Sequence, residues 1–171
     1  MKQVSFRNDI LPLKNELYRL ALRITLNPAE AEDVVQETLI KVWNRRESWA
    51  EIDSLEAFCL TICRNLALDK MKRMDNQAQA LDDTHDPPAS DRSANPEERA
   101  VQRDRIELVR RLIAQLPEKQ RSCMQLRDIE GKSYKDIAQV LSISEEQVKV
   151  NIFRARQTIR QRFIKTENYG L

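Results

Sequence analysis

Glycine is almost missing from this chain of 171 residues: there are two. A Gly-rich, phosphate-cradling loop has nothing to be built from, and tight hairpin turns lack their usual former. The one histidine, His85, joins no Ser/His/Asp set, which argues against a helical enzyme. Cys59, Cys63 and Cys123 form no C-x-x-C pair, so no structural zinc site can be assembled in the usual spacing. Cys59 and Cys63 stand i,i+4 and are expected to be small apolar core residues. No stretch approaches the roughly 20 apolar residues of a membrane span. The N-terminus, with Arg7, Asp9 and Pro12, has no signal-peptide core. These absences lead us to expect a soluble, reduced, cytoplasmic protein with no cofactor and no direct membrane insertion.

Leu, Ala, Glu, Arg and Gln are plentiful instead, and charged residues make up 33% of the chain. Such a composition favours helices over strands. The net charge of +2 hides an uneven distribution. Residues 1–73 hold 12 basic and 11 acidic side chains, residues 74–98 hold 1 and 7, and residues 99–171 hold 16 and 9. A basic C-terminal third behind an acidic strip suits a module that binds a polyanion.

Apolar periodicity predicts one helix near Leu11 to Leu26. Asn27-Pro28 stops it and starts a second, with Asn27 as cap and Glu30 and Glu32 in the early turns, running to about Arg46. Residues 47–54 read as a loop. A third helix is expected from Leu55 to Met74. Residues 75–98, with Pro87, Pro88 and Pro96, read as a flexible linker. Beyond it come a helix over Ile106–Ile113, one begun by Pro117, a short helix Tyr134–Leu141, and a last one from Glu145 to about Lys165. The predicted fold is all-α: two small helical domains, residues 1–74 and 99–171, joined by a linker.

Ser133–Arg162 has the pattern of a helix-turn-helix. Tyr134, Ile137, Ala138 and Leu141 point inward from a short helix, Ile143 sits in the turn, and Val148 and Ile152 point inward from a long one. Ser144 and Gln147 form a capping-box start. Val148 to Lys165 carries six basic residues and no acid. Such a helix reads bases with its first turns and neutralises phosphates beyond them. Lys149, Asn151 and Arg154 have the groups that base reading needs.

The segment from Leu116 to Phe163 resembles region 4 of bacterial sigma factors, which binds the −35 promoter element. Leu116-Pro117, Glu130-Gly131-Lys132-Ser133-Tyr134 and the run Ile152-Phe153-Arg154-Ala155-Arg156 carry the likeness. A helix-turn-helix of this type also occurs in response regulators, and the front half decides between them. Asp33-Val34-Val35-Gln36-Glu37-Thr38-Leu39-Ile40-Lys41-Val42-Trp43 is similar to sigma region 2.2. In the family that helix docks on the clamp helices of the largest polymerase subunit. Asp33, Gln36, Glu37 and Ile40 fall on one helical stripe, carboxylates and an amide around an apolar centre. Val35, Leu39, Val42 and Trp43 lie largely on another, with Trp43 expected in the core.

The resemblance extends to regions 2.3 and 2.4, which unstack and hold a base of the −10 element. It places Trp49 in the pocket loop, with Asn65 beneath and Arg64, Lys72 and Arg73 beside it. Trp49 departs from the smaller aromatic expected there. For −35 DNA the resemblance points to Glu146, Gln147, Lys149, Val150, Asn151, Phe153 and Arg154. No region 1.1 precedes residue 13 and no region 3 lies between the domains, a layout similar to the extracytoplasmic-function (ECF) group. The group implies core polymerase (clamp helices and flap), promoter DNA and an anti-sigma factor as partners, and a monomer when free. Asp82, Asp83, Asp86 and Asp91 would either mimic nucleic acid along the polymerase channel or belong to a mere tether. A stand-alone repressor is the rival, but no heptad pattern is present to pair two copies.

Overall fold

The computed structural model describes residues 3–78 and 96–168. The acidic residues Asp82, Asp83, Asp86 and Asp91 lie outside the described residues. Every element of the described chain is helical.

A helical turn over Phe6–Ile10 opens the fold. Ser5 and Asp9 cap each other: the Ser5 N–H donates to the Asp9 carboxylate at 2.7 Å, and the Asn8 N–H to the Ser5 hydroxyl. A tight turn at Leu11–Leu13, set by Pro12, leads into α1, Lys14–Thr25. Leu17, Leu20, Ala21 and Ile24 recur at helical spacing and are buried. Leu26 closes α1 in the left-handed region at φ 57°. Helix α2, Pro28–Asn44, begins as expected: the Asn27 side chain accepts from the Glu30 N–H at 3.1 Å, and Pro28 fills the first turn, where no donor is needed. A tight turn over Arg46–Glu51 replaces the expected loop. Helix α3 spans Leu55–Ala78, four residues beyond the expected end at Met74. Residues 75–78 contain no Gly or Pro to stop it. Together α1, α2 and α3 pack on one another as a bundle.

The second unit begins with α4, Pro96–Ala114. Leu116-Pro117 breaks the chain, and α5 follows over Glu118–Met124, with Pro117 just outside it. A wider turn, Gln125–Ile129, ends at Gly131, whose φ of 68° is a conformation glycine adopts without strain. Helices α6, Tyr134–Leu141, and α7, Glu145–Asn168, complete the chain.

The two units share a core. One apolar cluster runs from Leu17, Leu60 and Cys63 of the first to Leu126, Ile137 and Val148 of the second. Helices α3 and α6 are packed together, as are α1 and α5. Each fully buried Leu, Ile or Val contributes about 1.5–3 kcal/mol. Cys59, Cys63 and Cys123 are buried and unpaired, and the Cys63 thiol donates to the Leu17 carbonyl at 3.3 Å. Burial pushes all three thiols up to about 12. Among the described residues, no helix is long and apolar enough to cross a membrane.

Candidate nucleic-acid interface

Three surfaces gather the residues singled out by the sequence. The first is the outer stripe of α2. Asp33, Gln36, Glu37 and Ile40 are all exposed, and Ile40, at 59%, is an apolar residue left among carboxylates. From α3, Lys70 reaches Glu30 at 3.5 Å, Glu37 at 3.8 Å and Asp33 at 3.9 Å. It steadies the stripe without covering it. The lysine was not legible in this role, because the pairing needs α3 packed beside α2.

The second surface surrounds the turn after α2, and here three expectations are corrected, for Trp49, Trp43 and Arg64. Trp49 is 6% exposed, and its indole N–H donates to the Val42 carbonyl at 3.0 Å. Its ring is stacked near Phe6, with centroids 6.3 Å apart. A tight turn brings the indole against the carbonyls freed at the end of α2, so ring and N–H are both satisfied inside. Trp49 offers no face to a base in this structure. Trp43, expected in the core, is 45% exposed, with the Arg46 guanidinium over its ring at 4.7 Å. Asn65, Lys72 and Arg73 are exposed along α3. Arg64 is not: it is 8% exposed and forks onto Glu118 of α5, at 2.9 Å from Nε and 2.8 Å from Nη2. It joins the two units rather than facing solvent.

Glu118 sits in opposing influences. Burial pushes its carboxyl up, but the hydrogen bonds from Arg64 and Ser122, with the nearby charge of Arg121, hold it below the ordinary value. A second cross-unit centre is Lys132, whose ammonium lies 2.8 Å from Glu16 of α1 and 2.6 Å from Glu56 of α3. Burial lowers its pKa, and the two carboxylates more than reverse that. Arg19 of α1 forks onto Glu130, and Arg23 donates to the Gln125 side chain at 3.1 Å. Partners 54 or more residues apart leave no sequence signal.

The third surface is the helix-turn-helix. Ile137 and Val148 are fully buried between α6 and α7, and Ser142 turns the chain in the left-handed region at φ 55°. The capping box forms in both directions: the Ser144 N–H donates to Gln147 Oε1 at 3.0 Å and the Gln147 N–H to Ser144 Oγ at 3.1 Å. This holds the Gln147 carbonyl oxygen and leaves its NH2 group available. Asn151 donates to the Gln147 backbone carbonyl at 2.7 Å, a bond that does not use its acceptor oxygen. Glu146, Lys149, Val150, Phe153 and Arg154 are exposed on the same helix. Phe153 is 65% exposed, an apolar side chain suited to a thymine methyl group. Lys149 and Arg127 both lie near the Tyr134 ring, at 5.4 and 4.2 Å. Arg156 is held by Asp128 instead of facing outward freely. No cluster of metal-ligating side chains occurs among the described residues.

Fold and surfaces define a helix-turn-helix protein of the DNA-reading class, coupled to a helical bundle with an exposed acidic stripe. Residues 10–77 match the family model described as sigma-70 region 2, and residues 106–159 the one described as sigma-70 region 4. The ECF sigma factor SigL of Mycobacterium tuberculosis is 33% identical over 147 residues, covering 84% of this chain and 80% of SigL. The sigma-H factor of Pseudomonas aeruginosa is 32% identical over 160 residues, 88% of this chain and 83% of that one. A longer relative, the probable sigma factor RfaY of Xanthomonas campestris, is 26% identical over 165 residues, and the chain spans 41% of its length. Among solved structures, the sigma factor RpoE of Bartonella quintana, in complex with the anti-sigma factor NepR, matches with a TM-score of 0.72 at 25% identity over 94% of this chain and 96% of that one. The chain belongs to the sigma-70 family of RNA polymerase sigma factors, in its ECF group. Members of this family are transcription initiation factors rather than enzymes.

Proposed function

We propose that this chain binds core RNA polymerase through Asp33, Gln36, Glu37 and Ile40 and directs initiation at promoters with −35 and −10 elements. The observation that carries this reading is the coexistence, in one chain, of an exposed acidic stripe that ends in Ile40 and a capped helix-turn-helix. The stripe suits a partner helix carrying arginine, such as the clamp helices of the largest subunit. Region 4 engages the −35 duplex with Glu146, Gln147, Lys149, Val150, Asn151, Phe153 and Arg154, and the polymerase flap helps to position it. Asn65, Lys72 and Arg73 contact the −10 strand. Binding energy alone drives melting, through phosphate contacts of salt-dependent strength.

An anti-sigma factor as regulatory partner is supported by the RpoE relative, which was solved with NepR. The site of action is the cytoplasm, where polymerase and chromosome meet, and the free chain is a monomer. Residues 1–74 and 99–171 act as the two functional units. The test is transcription in vitro with sigma-free core polymerase over a set of promoters. Addition of the chain is expected to yield promoter-specific transcripts, and Glu37→Arg is expected to abolish both transcripts and co-elution with core. Unchanged co-elution of Glu37→Arg would remove the stripe from the interface.

A further inference from the structure

Carboxylates of region 4 lie on guanidinium groups of region 2. Glu118, at the start of α5, takes Arg64 of α3 in a two-bond fork. Glu130, beyond α5, takes Arg19 of α1 through Nε and Nη2. A guanidinium presents to a carboxylate the same planar fork that it presents to a phosphate. Arg64 adjoins the exposed Asn65 on the helix assigned above to the −10 strand, yet the fork leaves it buried.

We infer that the chain latches itself shut: Glu118 occupies the Arg64 fork that a −10 phosphate would otherwise take, and Glu130 on Arg19 is a second clasp. The masking of DNA rests on the promoter reading above, whereas the closure stands without it. Closure does not hide everything. Ile40, Glu37, Val150 and Phe153 remain exposed in the latched form. Polymerase and −35 DNA can therefore meet the closed chain, and the −10 strand engages Arg64 only after Glu118 lets go. Arg19 is half exposed, so its clasp weakens with salt, while the apolar packing of α3 on α6 does not.

The experiment places nitroxide labels on the full chain at Asn44→Cys on α2 and Gln161→Cys on α7, both exposed positions, and reads distances by pulsed dipolar EPR. The native thiols are buried with pKa values of about 12, so the introduced cysteines take the label. The wild type is expected to give one narrow distance population. Glu118→Gln and Glu130→Gln, which preserve shape, are each expected to raise the open-to-closed ratio roughly tenfold. Arg64→Glu is expected to open the chain, and Arg64→Glu combined with Glu118→Arg to close it again. With core polymerase present, the Glu118→Gln/Glu130→Gln chain is expected to capture single-stranded −10 DNA faster than the wild type. Unchanged distances in that double variant, or a charge exchange that restores nothing, would overturn the latch. A double variant that opens but captures the strand no faster would overturn the masking. Failure of the promoter reading shows separately, as a correctly latched wild type that yields no transcript with polymerase from any promoter.

Discussion

Replacing Ser144 by alanine removes one half of the capping box that starts α7. The Ser144 hydroxyl accepts from the Gln147 N–H at 3.1 Å, and the Gln147 amide oxygen accepts from the Ser144 N–H at 3.0 Å. An N-cap serine exchanged for alanine costs about 1 kcal/mol. The return bond is exposed and neutral, so Gln147→Ala should cost roughly 0.5–1 kcal/mol. The two bonds share the same turn, and each holds the geometry of the other. The double substitution is therefore expected to fall short of the sum by about 0.5 kcal/mol or more. Urea unfolding followed by circular dichroism at matched slopes measures these differences, and the Ser144→Ala midpoint should drop by about 2–4 °C in a thermal scan. Gln147→Glu separates stability from recognition. A carboxylate keeps the acceptor and suits the first turn of a helix, so stability should hold. The NH2 donor is gone and phosphates are repelled, so −35 duplex affinity should fall. Strictly additive costs, or a Ser144→Ala loss below about 0.3 kcal/mol, would refute the reciprocal cap.

Trp49→Ala should destabilise the chain by about 3–5 kcal/mol, since it removes a buried ring and the indole hydrogen bond to the Val42 carbonyl; Trp43→Ala, on the exposed side of the same cluster, should cost far less, and unfolding curves that rank the two in reverse would contradict the packing described. The contribution of Glu118 should depend on acid. Its folded pKa lies below the unfolded one, so its stabilisation is present above the unfolded value and is lost as pH falls through the folded value. The stability gap between wild type and Glu118→Gln should thus persist at neutral pH and close below about pH 4, which paired unfolding curves would show.

Local rules made much of this fold legible. Asn27-Pro28 and Ser144-Gln147 act through neighbours three residues away, and both caps form where the pattern placed them. The stripe Asp33, Gln36, Glu37 and Ile40 needs only helical spacing, and it is exposed. The two tryptophans came out exchanged for a reason of reach. Periodicity puts Trp43 on the stripe of Val35 and Leu39, but the buried face of α2 ends at Val42, and Trp43 projects past it. Trp49 sits in a turn whose path is fixed by Phe6 and the end of α2, which no local pattern encodes. The resemblance places Arg64 facing the promoter, but its partner lies 54 residues later. Lys132 of the second unit likewise meets Glu16 and Glu56 of the first.

Both indoles of the chain stand in the first unit, within one aromatic cluster, with ring centroids 6.1 Å apart. The second unit has none, so its melting would be dim to intrinsic emission. Tryptophan fluorescence therefore watches the first unit alone. Far-ultraviolet dichroism sees every helix. Superimposable curves from the two signals would mean that the shared core makes both units melt as one body, and an offset would mean that the second unit lets go by itself.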